Sequence, residues 1–109
     1  MKPVLTLLFF TILVAVTYAG RFHLYENIDQ QGNRIALDIP QGCSNSVRDY
    51  HFNDMASSIN TYGQCLILCA DANCQGRCVK FSAGNDNQCQ HSNFGACQFN
   101  DQASSVKNC

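Results

Sequence analysis

The chain reads as all-β, a sandwich of two Greek-key motifs, on three observations. An eight-residue phrase occurs twice: Phe52-Asn53-Asp54-Met55-Ala56-Ser57-Ser58-Ile59 returns as Phe99-Asn100-Asp101-Gln102-Ala103-Ser104-Ser105-Val106, identical at six of eight positions. A second register lays Phe22-His23-Leu24-Tyr25 on Leu66-Ile67-Leu68-Cys69, and Gln31-Gly32-Asn33-Arg34 on Gln75-Gly76-Arg77-Cys78. Apolar residues alternate with polar ones between turn-forming clusters, and no dozen-residue window carries a helical period. A duplicated phrase implies a duplicated folding unit.

The elements follow in order. Lys2, the apolar run Val4 to Val16 and the small residues at Thr17 and Ala19 read as a secretory signal peptide over 1–19. The run falls short of the roughly 20 apolar residues that a spanning helix wants. One domain, 20–109, follows, with the first key at about 21–62 and the second at about 65–109. Phe22 and Leu24, then Ile35, Leu37 and Ile39, alternate as half-buried strands do. Cys65 to Ala70 is a denser apolar run suited to a central strand, and Val79-Lys80-Phe81 follows Gly76 as Ile35-Ala36-Leu37 follows Gly32. Turn residues fill 29–33, 40–42 and 84–87. The two glycines are 44 positions apart and the two phrases 47, so three extra residues belong in a loop around Ala83 to Asn87. A short helical turn is expected within 49–58, and each half is expected to hold four strands. Tyr50 and Phe52 are expected in the core.

Without the leader, the domain keeps six basic residues against eight acidic ones, with no basic run. Nucleic acid is therefore a poor partner, and the absence of a basic amphipathic helix gives no support for a membrane surface. All eight cysteines lie in the domain. In a short secreted chain that reads as up to four disulfides, which compensate a small core by restricting the unfolded state. Their pairing is open, since eight cysteines allow 105 patterns. No Asn-x-Ser/Thr sequon is present.

Each copy of the repeated phrase sets Asn, Asp and two Ser between apolar anchors. Such a cluster of oxygen donors suits a hard cation such as Ca²⁺.

With these residues in hand, the domain resembles the βγ-crystallin family, over nearly all of 20–109. The family's key opens with an aromatic, four residues, an aromatic, one residue and Gly. Tyr25 and Gly32 keep that pattern with Gln30 at the second aromatic place, while Cys69, Cys74 and Gly76 occupy it in the second half. The glycine serves a folded hairpin that needs φ > 0 and has no room for a side chain. A bond between Cys69 and Cys74 could replace the aromatic contact, or each could pair elsewhere. Calcium-binding members carry Asn/Asp-Asn/Asp-x-x-Ser/Thr-Ser, which both phrases match. The resemblance implies two Ca²⁺ ions, each held by groups from both keys: the side chains of Asp54, Ser57, Asp101 and Ser104, and the carbonyls of Met55, Gln102, Glu26 and Ala70. Ser58 and Ser105 are implied to be structural, tying each key's backbone.

Competing readings are weaker. Asp71 to Gly76 resembles the start of an EF-hand loop, but Ser82 stands where the closing Glu belongs. Cys65, Cys69, Cys74 and Cys78 have zinc-like spacing, yet an oxidising compartment favours disulfides. His23, His51 and His91 read as surface residues with no nucleophile phrase beside them, so an enzyme is not expected. The expected role is a secreted, extracellular, calcium-stabilised structural protein, its protein partner unknown. The alternative is a defence effector of the antimicrobial or killer-toxin kind, or a protease inhibitor, acting through the loops at 44–48 or 84–93.

Overall fold

A computed structural model describes residues 20–82, 89 and 92–109. The leader at 1–19 and the loop at 83–87 lie outside the described residues. Seven strands form: β1 (Arg21–Asn27), β2 (Gln31–Asp38), β3 (Cys43–Ser44), β4 (Ser58–Asn60), β5 (Leu66–Asp71), β6 (Gln75–Phe81) and β7 (Ser105–Asn108). They make two antiparallel sheets, ordered β2-β1-β4 and β3-β7-β5-β6. The dense run beginning at Cys65 is indeed interior, with β5 paired on both sides. One short helix, α1 (Ser46–Asp49), and 3-10 turns at Ile28–Gln30, Ala72–Cys74 and Phe94–Cys97 complete the described elements.

The halves do not keep four strands each. β3, from the first half, pairs with β7 on the second sheet. In return Asn93 bridges to Ser58 on the first sheet, and the Ile59 N–H donates to the Ser92 carbonyl at 2.9 Å. One edge of each sheet is thus covered by a segment of the other half, which leaves fewer unpaired backbone groups. The helical turn lies at 46–49, ahead of its expected place, because the chain enters the crossover there. Tyr50, expected inside, is 65 % exposed, whereas Phe52 is buried.

The core lies between the sheets. Phe22, Leu24 and Leu37 face Leu66, Leu68 and Phe81. Phe94 meets Phe81 at a tilt, with ring centroids 5.1 Å apart, and Phe99 edge-on at 5.9 Å, so these rings form an aromatic cluster in the core.

The two hairpins have the same backbone. Asp29 and Gln30 are left-handed in the first, Asn73 and Cys74 in the second, followed by Gly32 at φ 81° and Gly76 at φ 74°. A Cβ on Gly76 would lie 2.6 Å from an Asp71 carboxylate oxygen, and one on Gly32 2.6 Å from the Asn27 amide nitrogen. Those side-chain ends can swing away, so the left-handed backbone sets most of the cost. Gly76→Ala is expected to lower the unfolding free energy by about 1–3 kcal/mol, measurable as a lower urea midpoint with an unchanged slope.

All eight cysteines are bridged: Cys43–Cys74, Cys65–Cys109, Cys69–Cys78 and Cys89–Cys97. The suggested Cys69–Cys74 bond is absent, and so is a thiolate zinc site. Cys78 sits directly across from Cys69 in the β5–β6 register, with Cα atoms 4.0 Å apart. Cys74 rides on the folded turn, its sulfur 3.4 Å from the Val106 carbonyl, and reaches Cys43 on the edge strand. Gln30 fills the equivalent place in the first hairpin and donates to the Ile59 carbonyl at 3.2 Å.

Candidate metal centre

The two repeated phrases lie against each other across the sandwich. Asp54 and Asp101 both take left-handed backbone, φ 59° and 57°, a conformation Asp tolerates better than most residues. That turn aims each backbone N–H at the other loop. The Asp54 N–H donates to the Ala103 carbonyl at 3.0 Å, and the Asp101 N–H to the Ala56 carbonyl at 3.0 Å. The loops also dock on the hairpins, where the Ser57 N–H donates to the Tyr25 carbonyl at 2.8 Å and the Ser104 N–H to the Cys69 carbonyl at 2.9 Å. Glu26 and Ala70 are the next residues along those hairpins.

This pairing brings two of the expected ligands, one from each key, into contact. The Ser57 hydroxyl lies 3.3 Å from an Asp101 carboxylate oxygen, so groups from different halves share one place. Ser57 and Ser104 are buried, at 8 % and 7 % exposure, while Asp54 and Asp101 are exposed. Met55 is 38 % exposed and Gln102 is also exposed, so their side chains are not packed into the loops they occupy. Among the described residues no three of His, Cys, Asp and Glu gather into a cluster. The loops instead carry the carboxylates of Asp54 and Asp101 and the hydroxyls of Ser57 and Ser104.

Ser58 and Ser105 have a different job. The Ser58 hydroxyl donates to the Asn27 carbonyl at 2.6 Å and accepts from the Gln30 N–H at 3.0 Å. The Ser105 hydroxyl donates to the Asp71 carbonyl at 2.6 Å and accepts from the Cys74 N–H at 2.9 Å. Each serine therefore pins one folded hairpin, and both are fully buried.

No protein-family model matches the chain, and no curated protein sequence does. Solved structures do match. A βγ-crystallin from Ciona intestinalis shares 24% identity at a TM-score of 0.65, covering 83% of this chain and all of that one. A βγ-crystallin from an archaeon shares 19% at 0.61, covering 84% and 99%. A clostrillin double mutant, solved in complex with nickel, shares 18% at 0.58, covering 82% and 97%.

The chain has the βγ-crystallin fold. Within the βγ-crystallin fold, this chain is disulfide-rich, which fits an oxidising setting. No helix among the described residues is long and apolar enough to cross a membrane. The EF-hand resemblance at Asp71 to Gly76 dissolves into the second hairpin, where the Asn73 side chain accepts from the Asn45 amide at 2.8 Å.

One pair of latches was not foreseen. The Asn73 N–H donates to Asn45 Oδ1 at 2.7 Å, and the Asp29 N–H donates to Asn93 Oδ1 at 2.8 Å. Asn93 returns a bond to the Asp29 carboxylate at 2.9 Å. Each latch ties a crossing edge segment to the hairpin of the other key. The signal was the matched positions of Asp29 and Asn73 in the two registers, which carries meaning only once the edge exchange is known.

Proposed function

We propose that this is a secreted, non-enzymatic calcium-binding protein whose two ions stabilise its sandwich. The observation that carries the reading is the Ser57 hydroxyl beside the Asp101 carboxylate, one from each key. A hydroxyl and a carboxylate in contact, flanked by backbone carbonyls, offer the neutral-rich oxygen shell that suits Ca²⁺ over softer metals. One ion would take Ser57, Asp101 and the carbonyls of Glu26 and Gln102. Its twin would take Ser104, Asp54 and the carbonyls of Ala70 and Met55. Low ligand charge implies affinity of roughly micromolar to sub-millimolar order, which extracellular calcium would fill.

Isothermal titration is expected to find two calcium sites in the parent, and one in each of Ser57→Arg and Ser104→Arg. Calcium at about 100 times its dissociation constant would add about 2.7 kcal/mol per site, so chelation should lower the melting temperature by several degrees. An identical melting temperature in calcium and in chelator would remove the reading. The defence-effector or inhibitor alternative has no comparable support. Arg48, the cation of the 44–48 loop, is held by Asp49 at 3.1 Å.

A further inference from the structure

We propose that the outer face of the first sheet binds an oxyanion, a sulfate or phosphate group, between His23 and Arg34. The register puts Arg21, His23 and Tyr25 on the outward side of β1, opposite Asp38, Ala36 and Arg34 of β2. His23, read from sequence as a plain surface residue, is half-buried between two tyrosines. Its ring meets Tyr62 edge-on at 5.2 Å and Tyr25 at 6.2 Å. Nδ1 lies 2.8 Å from the Tyr62 hydroxyl. A phenol hydroxyl donates to a neutral nitrogen and accepts from a protonated one, so the ring keeps its place in either charge state. Nε2 is then the position left for a ligand, and it is an N–H donor whenever Tyr62 donates to Nδ1.

The charge around this ring favours an anion. From β1 the facing charge is Arg21, and from β2 it is Arg34 with Asp38 beyond. Asn60 on β4 and Tyr62 and Gln64 on the following connection carry none at neutral pH. Asp38 is occupied by Arg21 at 3.0 Å. Arg34 is exposed, sits diagonally across from His23, and has no ion pair among the described residues. Diagonal neighbours on a sheet stand about 7–8 Å apart at the backbone, within reach of an arginine. Burial, then the cations of Arg34 and Arg21, hold the His23 pKa below its ordinary value. Without a ligand, protonating His23 therefore opposes folding, and stability falls as the pH drops below the ordinary histidine range. An oxyanion between Nε2 and the guanidinium reverses that penalty, because it is attracted to both.

The test is an NMR titration of His23 on the full oxidised domain. In sodium sulfate the His23 pKa is expected to rise relative to chloride at equal ionic strength, and the rise should vanish in Arg34→Gln. Arg34→Gln should weaken sulfate binding about tenfold at pH 5.5. A sulfated disaccharide that binds more tightly than inorganic sulfate identifies a sulfated glycan as the source; equal binding identifies the free ion. A His23 pKa that does not differ between sulfate and chloride overturns the proposal. This readout needs no variant and is independent of calcium.

Discussion

Replacing Cys65 and Cys109 together by serine is expected to lower the unfolding free energy by about 4 kcal/mol. The bridge closes a span of 44 residues, longer than those of Cys43–Cys74, Cys69–Cys78 and Cys89–Cys97. In the chain-entropy account, the restriction it places on the unfolded state grows with the logarithm of that span. It also fastens the end of β7 to the start of β5, where Leu66 pairs with Asn108. Losing the bridge frees the last residues of a strand that holds two neighbours in place. A denaturant titration of the double variant beside the parent checks it, and a shift under 1 kcal/mol would show that the unfolded chain is already constrained by the other bridges.

Phe94→Ala should cost about 3–5 kcal/mol, the range for removing a buried aromatic ring. Phe94 is fully buried among Phe81 and Phe99, and the crowded aromatic cluster has little room to collapse into the space left. The effect should reach the repeated loops proposed to hold calcium. The Phe94 N–H donates to the Ser57 carbonyl at 2.9 Å, and the Phe99 N–H returns to the Phe94 carbonyl at 2.9 Å. Phe94 thus links the 3-10 turn to the residue whose hydroxyl meets Asp101. The expected result is a large drop in melting temperature together with weaker calcium uptake at the Ser57 site. Unchanged uptake in a destabilised but folded variant would mean that Ser57 is positioned by Tyr25 and Ala56 without help from this ring.

Much of the fold was legible because duplication makes the chain its own alignment. Gly32 and Gly76 had one conformational meaning, and both are left-handed. Ser58 and Ser105 were readable as backbone ties through the family resemblance, and each pins the folded hairpin of its own key. The cysteine pattern was not legible. Cys69 finds Cys78 through strand register, and Cys74 finds Cys43 through an edge strand lent by the other half. Neither relation is written in spacing. Tyr50 misled because it stands two residues from Phe52, which is buried, while the chain after α1 leaves Tyr50 outward. In the repeated loops, the sequence offered the oxygen-bearing side chains of Asp54, Ser57, Asp101 and Ser104 as candidates. The family resemblance implied that groups of both keys would mix, and the structure stands Asp101 beside Ser57 of the opposite copy.

Every cystine lies downstream of Gly42, and the spans 43–74 and 65–109 interlock. Residues 43–109 therefore form one cross-linked body, while the ribbon of β1 and β2 is retained by weak forces alone. In an oxidising medium, transient opening would concentrate in that ribbon, and deuterium should enter its amides ahead of those in β5. The carbonyl of Glu26 belongs to this unlocked ribbon. An ion seated there would fasten the stretch that sulfur chemistry leaves loose, so cystine and cation would guard complementary parts of the molecule.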